Sequence, residues 1–369
     1  MRNTHVNIDL TALSHNLQRV KQYAPHSQVV AMVKANAYGH GVLSCLPALQ
    51  AADALGVACL DEALPLQQAG WDKKIVIIEG AFSEQEWQTC IAQNIDCMIH
   101  CQDQLDWALA HLPKADNATK TTVWLKFNTG MNRLGFSEHE ILSIAKQLYD
   151  AGYHIILTTH FANADIKDHP NNQQQIDKFN RVLAELKADI SPSIQGSLCN
   201  SAGIVNFVEH HHDWVRPGII LYGATPVADQ TAAELNLRPV MQFDAAIMAV
   251  HDLQAGDSVG YGSRWTATGP SRIGIVSVGY ADGYPRVISD AAYLTAKGEK
   301  LPIIGRVAMD MLMVDLGNSP MVDIGTPVQL WGNSPTIDEV ASWNDTISYE
   351  LLCLVTSRPH WHYQNADSN

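Results

Sequence analysis

The sequence predicts an α/β chain in which a TIM-type (β/α)8 barrel over residues 1–235 precedes a mostly-β C-terminal domain over 236–369. Three observations predict it. Over roughly the first 230 residues, short apolar runs alternate with helix-like segments about eight times, the period of a parallel barrel. Near Leu237 the texture changes to short β-rich runs divided by Gly and Pro. No GxGxxG fingerprint follows an early strand, which lowers the competing doubly wound sheet, although periodicity alone leaves both arrangements open.

In chain order, Val6–Leu10 alternates like a short strand, a candidate to pair with the later β domain rather than the barrel. Asp9 or Thr11 can cap the next helix, where Leu13, Leu17 and Val20 share a face. Val29–Val33 is an apolar run fit for a strand buried on both faces. Further strands are expected at Leu55–Leu60, Lys74–Glu79, Asp96–His100, Thr121–Phe127, Tyr153–Thr159, Ile194–Cys199 and Trp214–Val215. Helices are expected between them, at Val42–Ala52, Asp61–Ala69, Glu84–Gln93, Gln102–His111, Ser137–Asp150 and Asn171–Asp189. Ser137 with Glu140 forms a capping box. Past Leu237, strands are predicted at Phe243–Val250, Ile273–Val278, Leu301–Ile304, Met311–Val314 and Val328–Trp331, with helices near Ile337–Trp343 and Tyr349–Val355. The Asn365–Asn369 tail is expected to be disordered.

Composition excludes several classes of function. A net charge of −14 argues against a nucleic-acid surface. No apolar run is long enough to span a membrane, and Met1–Leu10 has no signal-peptide core. Seven cysteines without CxxC spacing fit a reducing cytoplasm and imply no metal site; His210–His212 reads as a polar loop.

Lys34 is the first candidate for chemistry. It ends the Val29–Val33 strand, where α/β folds gather their active sites, and apolar neighbours there desolvate an amine nucleophile. Tyr38 shares its face if a helix begins here. Asn200-Ser201-Ala202-Gly203 follows a strand and offers a hydroxyl and backbone N–H groups to an anion. Gly218 and Ile219 follow the last barrel strand, where TIM-type phosphate sites form.

The stretch Ala31-Met-Val-Lys34-Ala-Asn-Ala-Tyr38-Gly-His-Gly41 resembles the pyridoxal-phosphate (PLP) lysine motif of alanine racemases. The resemblance continues in the family's order through Lys126-Phe-Asn-Thr-Gly-Met-Asn-Arg133, Thr159-His160-Phe-Ala-Asn, Asn200-Ser201-Ala and Val215-Arg216-Pro-Gly218-Ile219. It runs on through Val259-Gly-Tyr261-Gly, Gly279-Tyr280-Ala-Asp-Gly, Gly305-Arg-Val-Ala-Met309-Asp310 and Tyr349-Glu-Leu-Leu-Cys353.

That resemblance implies a PLP-dependent alanine racemase, interconverting L- and D-alanine through an external aldimine on PLP with two bases. Lys34 would hold the cofactor and serve one face of the substrate; Tyr261, from the partner subunit of a homodimer with shared sites, would serve the other. Tyr38, Asn200, Ser201, Gly218, Ile219 and Tyr349 would bind the cofactor, and Arg216 would meet its ring nitrogen. Arginine keeps its proton, so that nitrogen stays unprotonated and a long-lived carbanion is disfavoured. A phenol with a reference pKa of ~10 is a weak base, and His160 would tune Tyr261. Arg133 would lie near the cofactor's phenolic oxygen and, with Met309, hold the substrate carboxylate, while Tyr280, Arg286 and Asp310 would line the entrance. Lys126 matches a lysine that can carry a carbamate in the family, but Asn128 replaces the usual aspartate; the usual Arg-Val-Pro-Arg ending reads Arg358-Pro-His-Trp361. A racemase of broader substrate range is the nearest alternative, and a non-catalytic PLP-binding carrier is the alternative of another class.

Overall fold

The computed structural model describes residues 2–112, 121–317 and 319–364; the Asn365–Asn369 tail lies outside the described residues. Chain entry is through β1 (Thr4–Asp9), followed by a helix over Leu10–Tyr23. The Asp9 carboxylate accepts the Ala12 N–H at 2.9 Å, capping that helix, and Leu13, Leu17 and Val20 are buried on one face. The capping box at Ser137 is also formed, with the Glu140 carboxylate accepting the Ser137 N–H at 2.9 Å.

Eight short parallel strands then build the barrel: β2 (Gln28–Met32), β3 (Ala54–Val57), β4 (Lys74–Ile77), β5 (Asp96–Ile99), β6 (Thr122–Lys126), β7 (His154–Thr158), β8 (Gln195–Ser197) and β9 (Trp214–Val215). Their spatial order is β8-β7-β6-β5-β4-β3-β2-β9. A doubly wound sheet reverses its order at a switch point. Here the order never reverses, and single bonds close the ring between β8 and β9: Asp213 N–H to Gly196 O at 3.1 Å and Arg216 N–H to Cys199 O at 2.9 Å. The near-continuous burial of β2 to β7 explains why their sequences read as unbroken apolar runs.

The second sheet contains β1 and seven later strands. Its members are β10 (Met241–Leu253), β13 (Ser271–Val276), β14 (Tyr293–Ala296), β15 (Glu299–Ile304), β16 (Leu312–Asp315), β17 (Pro327–Trp331) and β18 (His360–Gln364), with β11 (Ser258–Val259) and β12 (Trp265–Thr266) forming a separate hairpin. The long β10 pairs antiparallel with β1, β13 and β17, so one bent strand binds the start of the chain to the β portion.

β14 and β18 were not expected, and two of the expected segments take another form. The Val42–Ala52 helix is a short α-turn, Val42–Cys45, that tightens into a 3₁₀ turn over Leu46–Leu49. Pro47 removes a donor and crowds the preceding turn, which ends the α-helix there. The larger difference follows Lys34. Ala35, Asn36, Ala37 and Tyr38 have φ of 51°, 55°, 56° and 51°, so the turn is left-handed throughout. Lys34 and Tyr38 are therefore not stacked on the face of a right-handed helix.

Candidate functional site

The carboxyl ends of the barrel strands open into a cavity of about 640 Å³, within the range of small-molecule sites. Lys34 enters after β2, Lys126 at the end of β6, His160 after β7, Asn200 and Ser201 after β8, and Arg216 and Gly218 after β9; Tyr38, Arg133 and Tyr349 complete the predicted set along its wall. Lys34 is half-buried. Ile219 is fully buried and outside the lining.

Local bonding fixes these side chains. Arg216 is buried, and its Nη1 donates to Ser197 O at 3.0 Å and Ser197 Oγ at 2.5 Å, while Nη2 donates to Thr159 O. None of these bonds uses Nε–H. Burial lowers the guanidinium to about 10, so it remains a cation at neutral pH. Asn200 caps the Ser201–Asn206 turn by accepting Gly203 N–H at 2.9 Å. Ser201 Oγ accepts the Gly218 N–H at 2.7 Å, which leaves its own proton to donate. A Cβ on Gly218 would lie 2.5 Å from the Tyr38 hydroxyl, so only glycine lets that phenol approach. Burial raises the Tyr38 phenol strongly and the Tyr349 phenol to about 12, keeping both as neutral donors.

Charge is the distinguishing feature of this cavity. Its lining holds four basic side chains, Lys34, Lys126, Arg133 and Arg216, against one carboxylate, Glu79. Arg133 is exposed and makes no side-chain hydrogen bond among the described residues. Burial, then the Arg216 and Arg133 charges, push Lys126 well below its ordinary value. Burial followed by Lys126, Arg216, Arg133 and Lys34 likewise holds His160 neutral. Such a donor set fits an anion carrying a phosphate, and it fits PLP: an amine to bond, hydroxyl and amide donors around a glycine, and a guanidinium with an uncommitted N–H. Asn128, beside Lys126 in sequence, accepts from Gly130 N–H at 3.1 Å and Asn132 N–H at 3.0 Å. Its oxygen is used to shape that turn.

Tyr261, Met309, Tyr280, Arg286 and Asp310 are not part of this lining. Tyr261 is 73% and Met309 52% exposed on the β portion, and Arg286 is also exposed. Asp310 meets Arg358 at 2.7 Å, and Arg358 reaches the buried Asp282 at 3.6 Å, so the altered C-terminal ending still supplies an arginine to this surface. The sequence reading missed Ser197, which orients Arg216, and Glu79 and Cys353, which line the cavity. Ser197 serves through its oxygens alone, and only its place near a barrel strand's carboxyl end could have marked it.

The charge state of Lys126 is measurable. Its pKa is lower folded than unfolded, so between those values the unfolded chain holds the extra proton. Stability therefore rises with pH across that window and is lost as pH falls through the folded value. Lys126→Met is expected to raise the Tm of the cofactor-free protein, by roughly 2–4 °C per kcal/mol relieved, and by more at pH 6 than at pH 9. Equal or reversed gains would show that Lys126 is not held neutral by burial.

Comparison with known proteins agrees with this geometry. The family model for the alanine racemase N-terminal domain matches residues 8–226, and that for the C-terminal domain matches residues 240–363. An alanine racemase of Psychrobacter sp. (strain PRwf-1) is 53% identical over 370 residues, spanning 97% of this chain and 99% of its own. The solved alanine racemase of Acinetobacter baumannii superposes with a TM-score of 0.93 at 48% identity, covering 99% of this chain and 100% of that one. The Bartonella henselae alanine racemase, solved with covalently bound pyridoxal phosphate, gives a TM-score of 0.88 at 28% identity, over 99% of this chain and 100% of that one. By full-length sequence and by fold, the chain belongs to the alanine racemase family.

Proposed function

We propose that this protein interconverts L- and D-alanine, holding PLP on Lys34 and using Lys34 and Tyr261 as its two bases. The observation that carries the reading is the cavity's excess of basic groups: four basic side chains against one carboxylate, at the carboxyl ends of the barrel strands. When bound, PLP would supply the electron sink that acidifies the substrate Cα–H. Ser201, the Gly218 region, Tyr38 and Tyr349 would hold the phosphate through hydroxyl and amide donors. Arg216 would donate Nε–H to the ring nitrogen, and its retained proton keeps that nitrogen an acceptor. Arg133, uncommitted to any carboxylate, would meet the substrate's. Lys34 Nζ would move the proton on one face of Cα.

The second base comes from elsewhere. Tyr261 and Met309, like Tyr280 and Met311, are large side chains left exposed on the β portion, and exposed apolar surface of this kind marks interaction sites. A homodimer with two-fold symmetry would bring that surface to the partner's cavity. The division near residue 235 belongs to this reading, since each portion then supplies one base. Seven free thiols support a reducing cytoplasm as its setting, and no helix among the described residues is long and apolar enough to cross a membrane.

Protein supplied with PLP and L-alanine in deuterated water is expected to lose optical rotation while gaining deuterium at Cα, and borohydride should fix the cofactor on the Lys34 peptide. Rotation that never changes, or label on the Lys126 peptide, would overturn the assignment. Lys126 is proposed to carry a carbamate. Its neutral amine is the form that attacks carbon dioxide, forming an N–C bond and releasing a proton, and Arg216 and Arg133 would stabilise the resulting carbamate. Labelled bicarbonate should then give a carbamate carbon signal by NMR that Lys126→Met removes; no signal in the wild-type protein rejects it.

A further inference from the structure

The left-handed turn that follows Lys34 needs an external support. Four consecutive non-glycine residues occupy a region of backbone space that L-amino acids avoid, and such a conformation persists only where its surroundings over-determine it. The first amide of the turn, Ala35 N–H, is bound by a side chain from another βα unit. Glu62 Oε1 accepts it at 2.8 Å, and Glu62 Oε2 accepts Ala58 N–H at 2.8 Å. One carboxylate thus ties the end of β2 to the end of β3.

Helix capping accounts for half of this. Glu62 lies in the first turn of the Leu60–Gln68 helix, where an acidic side chain commonly reaches back to amides preceding the helix. The Ala58 bond is of that kind. Reaching Ala35, 27 positions earlier in the chain, is not. The backbone between Lys34 and Glu62's grip is a single residue, so whatever moves the Ala35 amide moves the lysine's Cα.

We propose that Glu62 is a positioning residue for the racemase reaction: by holding the Ala35 amide it fixes the left-handed turn and hence the direction from which Lys34 enters the cavity. The proposal rests on Lys34 being the residue that bonds PLP. Glu62 is not among the residues that line the cavity; it acts through the backbone.

The test uses the full-length protein loaded with PLP. Glu62→Ala is expected to lower kcat about tenfold or more while KM changes less than about twofold. In protein stripped of PLP, the spectroscopically followed rate of cofactor attachment should fall by a comparable factor. Adding Ala35→Gly to Glu62→Ala should restore at least about a third of the lost kcat, because glycine takes a positive φ without the Cβ clash. A simple capping role for Glu62, exerted at Ala58, would not be rescued by glycine at position 35. Wild-type kcat and attachment rate in Glu62→Ala, or a loss that Ala35→Gly leaves untouched, would overturn the proposal. If Glu62→Ala does not fold, amide exchange in the wild-type protein decides: Ala35 N–H should be protected despite its exposed position, and unprotected exchange rejects the idea. Borohydride label on a peptide other than that of Lys34 would end both readings, whereas label on Lys34 with unaltered Glu62→Ala kinetics ends only this one.

Discussion

The turn after Lys34 is the constraint on which the site depends. Four left-handed residues cost about 1–2 kcal/mol each, or roughly 4–8 kcal/mol together, comparable with the net stability of a whole domain. The surroundings offset this with a dense set of bonds. Ala37 N–H reaches Val33 O at 2.7 Å, Gly39 N–H reaches Ala35 O at 2.9 Å, and His40 and Gly41 N–H reach Ala37 O and Asn36 O at 3.0 Å each. Asn36 Oδ1 accepts Val42 N–H at 2.9 Å, Glu62 accepts Ala35 N–H, and His40 Nδ1 faces the Ala37 and Tyr38 carbonyls at 3.0 Å. At about 0.5–1.5 kcal/mol apiece, these eight contacts are of the size required. Both partners of His40 Nδ1 are carbonyls, so this nitrogen carries the proton; burial lowers the imidazole to about 4 and keeps it neutral.

The same turn joins the two portions of the chain. A Cβ on Gly39 would collide with the Leu352 carbonyl, and one on Gly41 with the Tyr363 hydroxyl. The helix Ser348–Leu354, which also carries Tyr349 and Cys353 into the cavity, and the last strand β18 therefore press directly on the lysine loop. Around this rigid support, electrostatics sets the protonation states. Two like charges 4 Å apart repel by about 4 kcal/mol at an effective dielectric of 20, so a buried cluster of cations cannot all stay charged without an anion. Lys126 and His160 are pushed toward their neutral forms; Arg216, far more basic, keeps its proton. An anionic cofactor relieves the repulsion, which is why the cavity's composition points to its occupant.

Much of this was legible in the sequence. The barrel strands are covered on both faces and so declare themselves as apolar runs, and the barrel motifs that resemble the family's, with the one at Tyr349, fall at the cavity formed by their carboxyl ends, whereas those around Tyr261, Tyr280 and Met309 lie outside its lining. The left-handed turn was not legible, because Ala-Asn-Ala-Tyr contains good right-handed helix formers and only tertiary bonds impose the other hand. Pro47 marks the break in the Val42–Ala52 segment within the sequence itself. β14 and β18 were missed for different reasons: β14 pairs with β15 across Lys297-Gly298, both at positive φ, a weaker hairpin signal than Asn-Gly, while β18 is an edge strand of mixed polarity that pairs with β1 alone. Glu62 and Ser197 leave no motif because they bind backbone or orient another side chain.

The central claim is that Lys34 and Tyr261 act on one substrate from different copies of the chain. Mixing Lys34→Ala and Tyr261→Phe proteins after dissociation tests it most directly. With shared sites, each mixed dimer holds one doubly defective site and one intact site, so random pairing should restore about a quarter of wild-type sites. If both bases belong to one chain, every site keeps a defect, and mixtures that stay as inactive as their components would contradict the account.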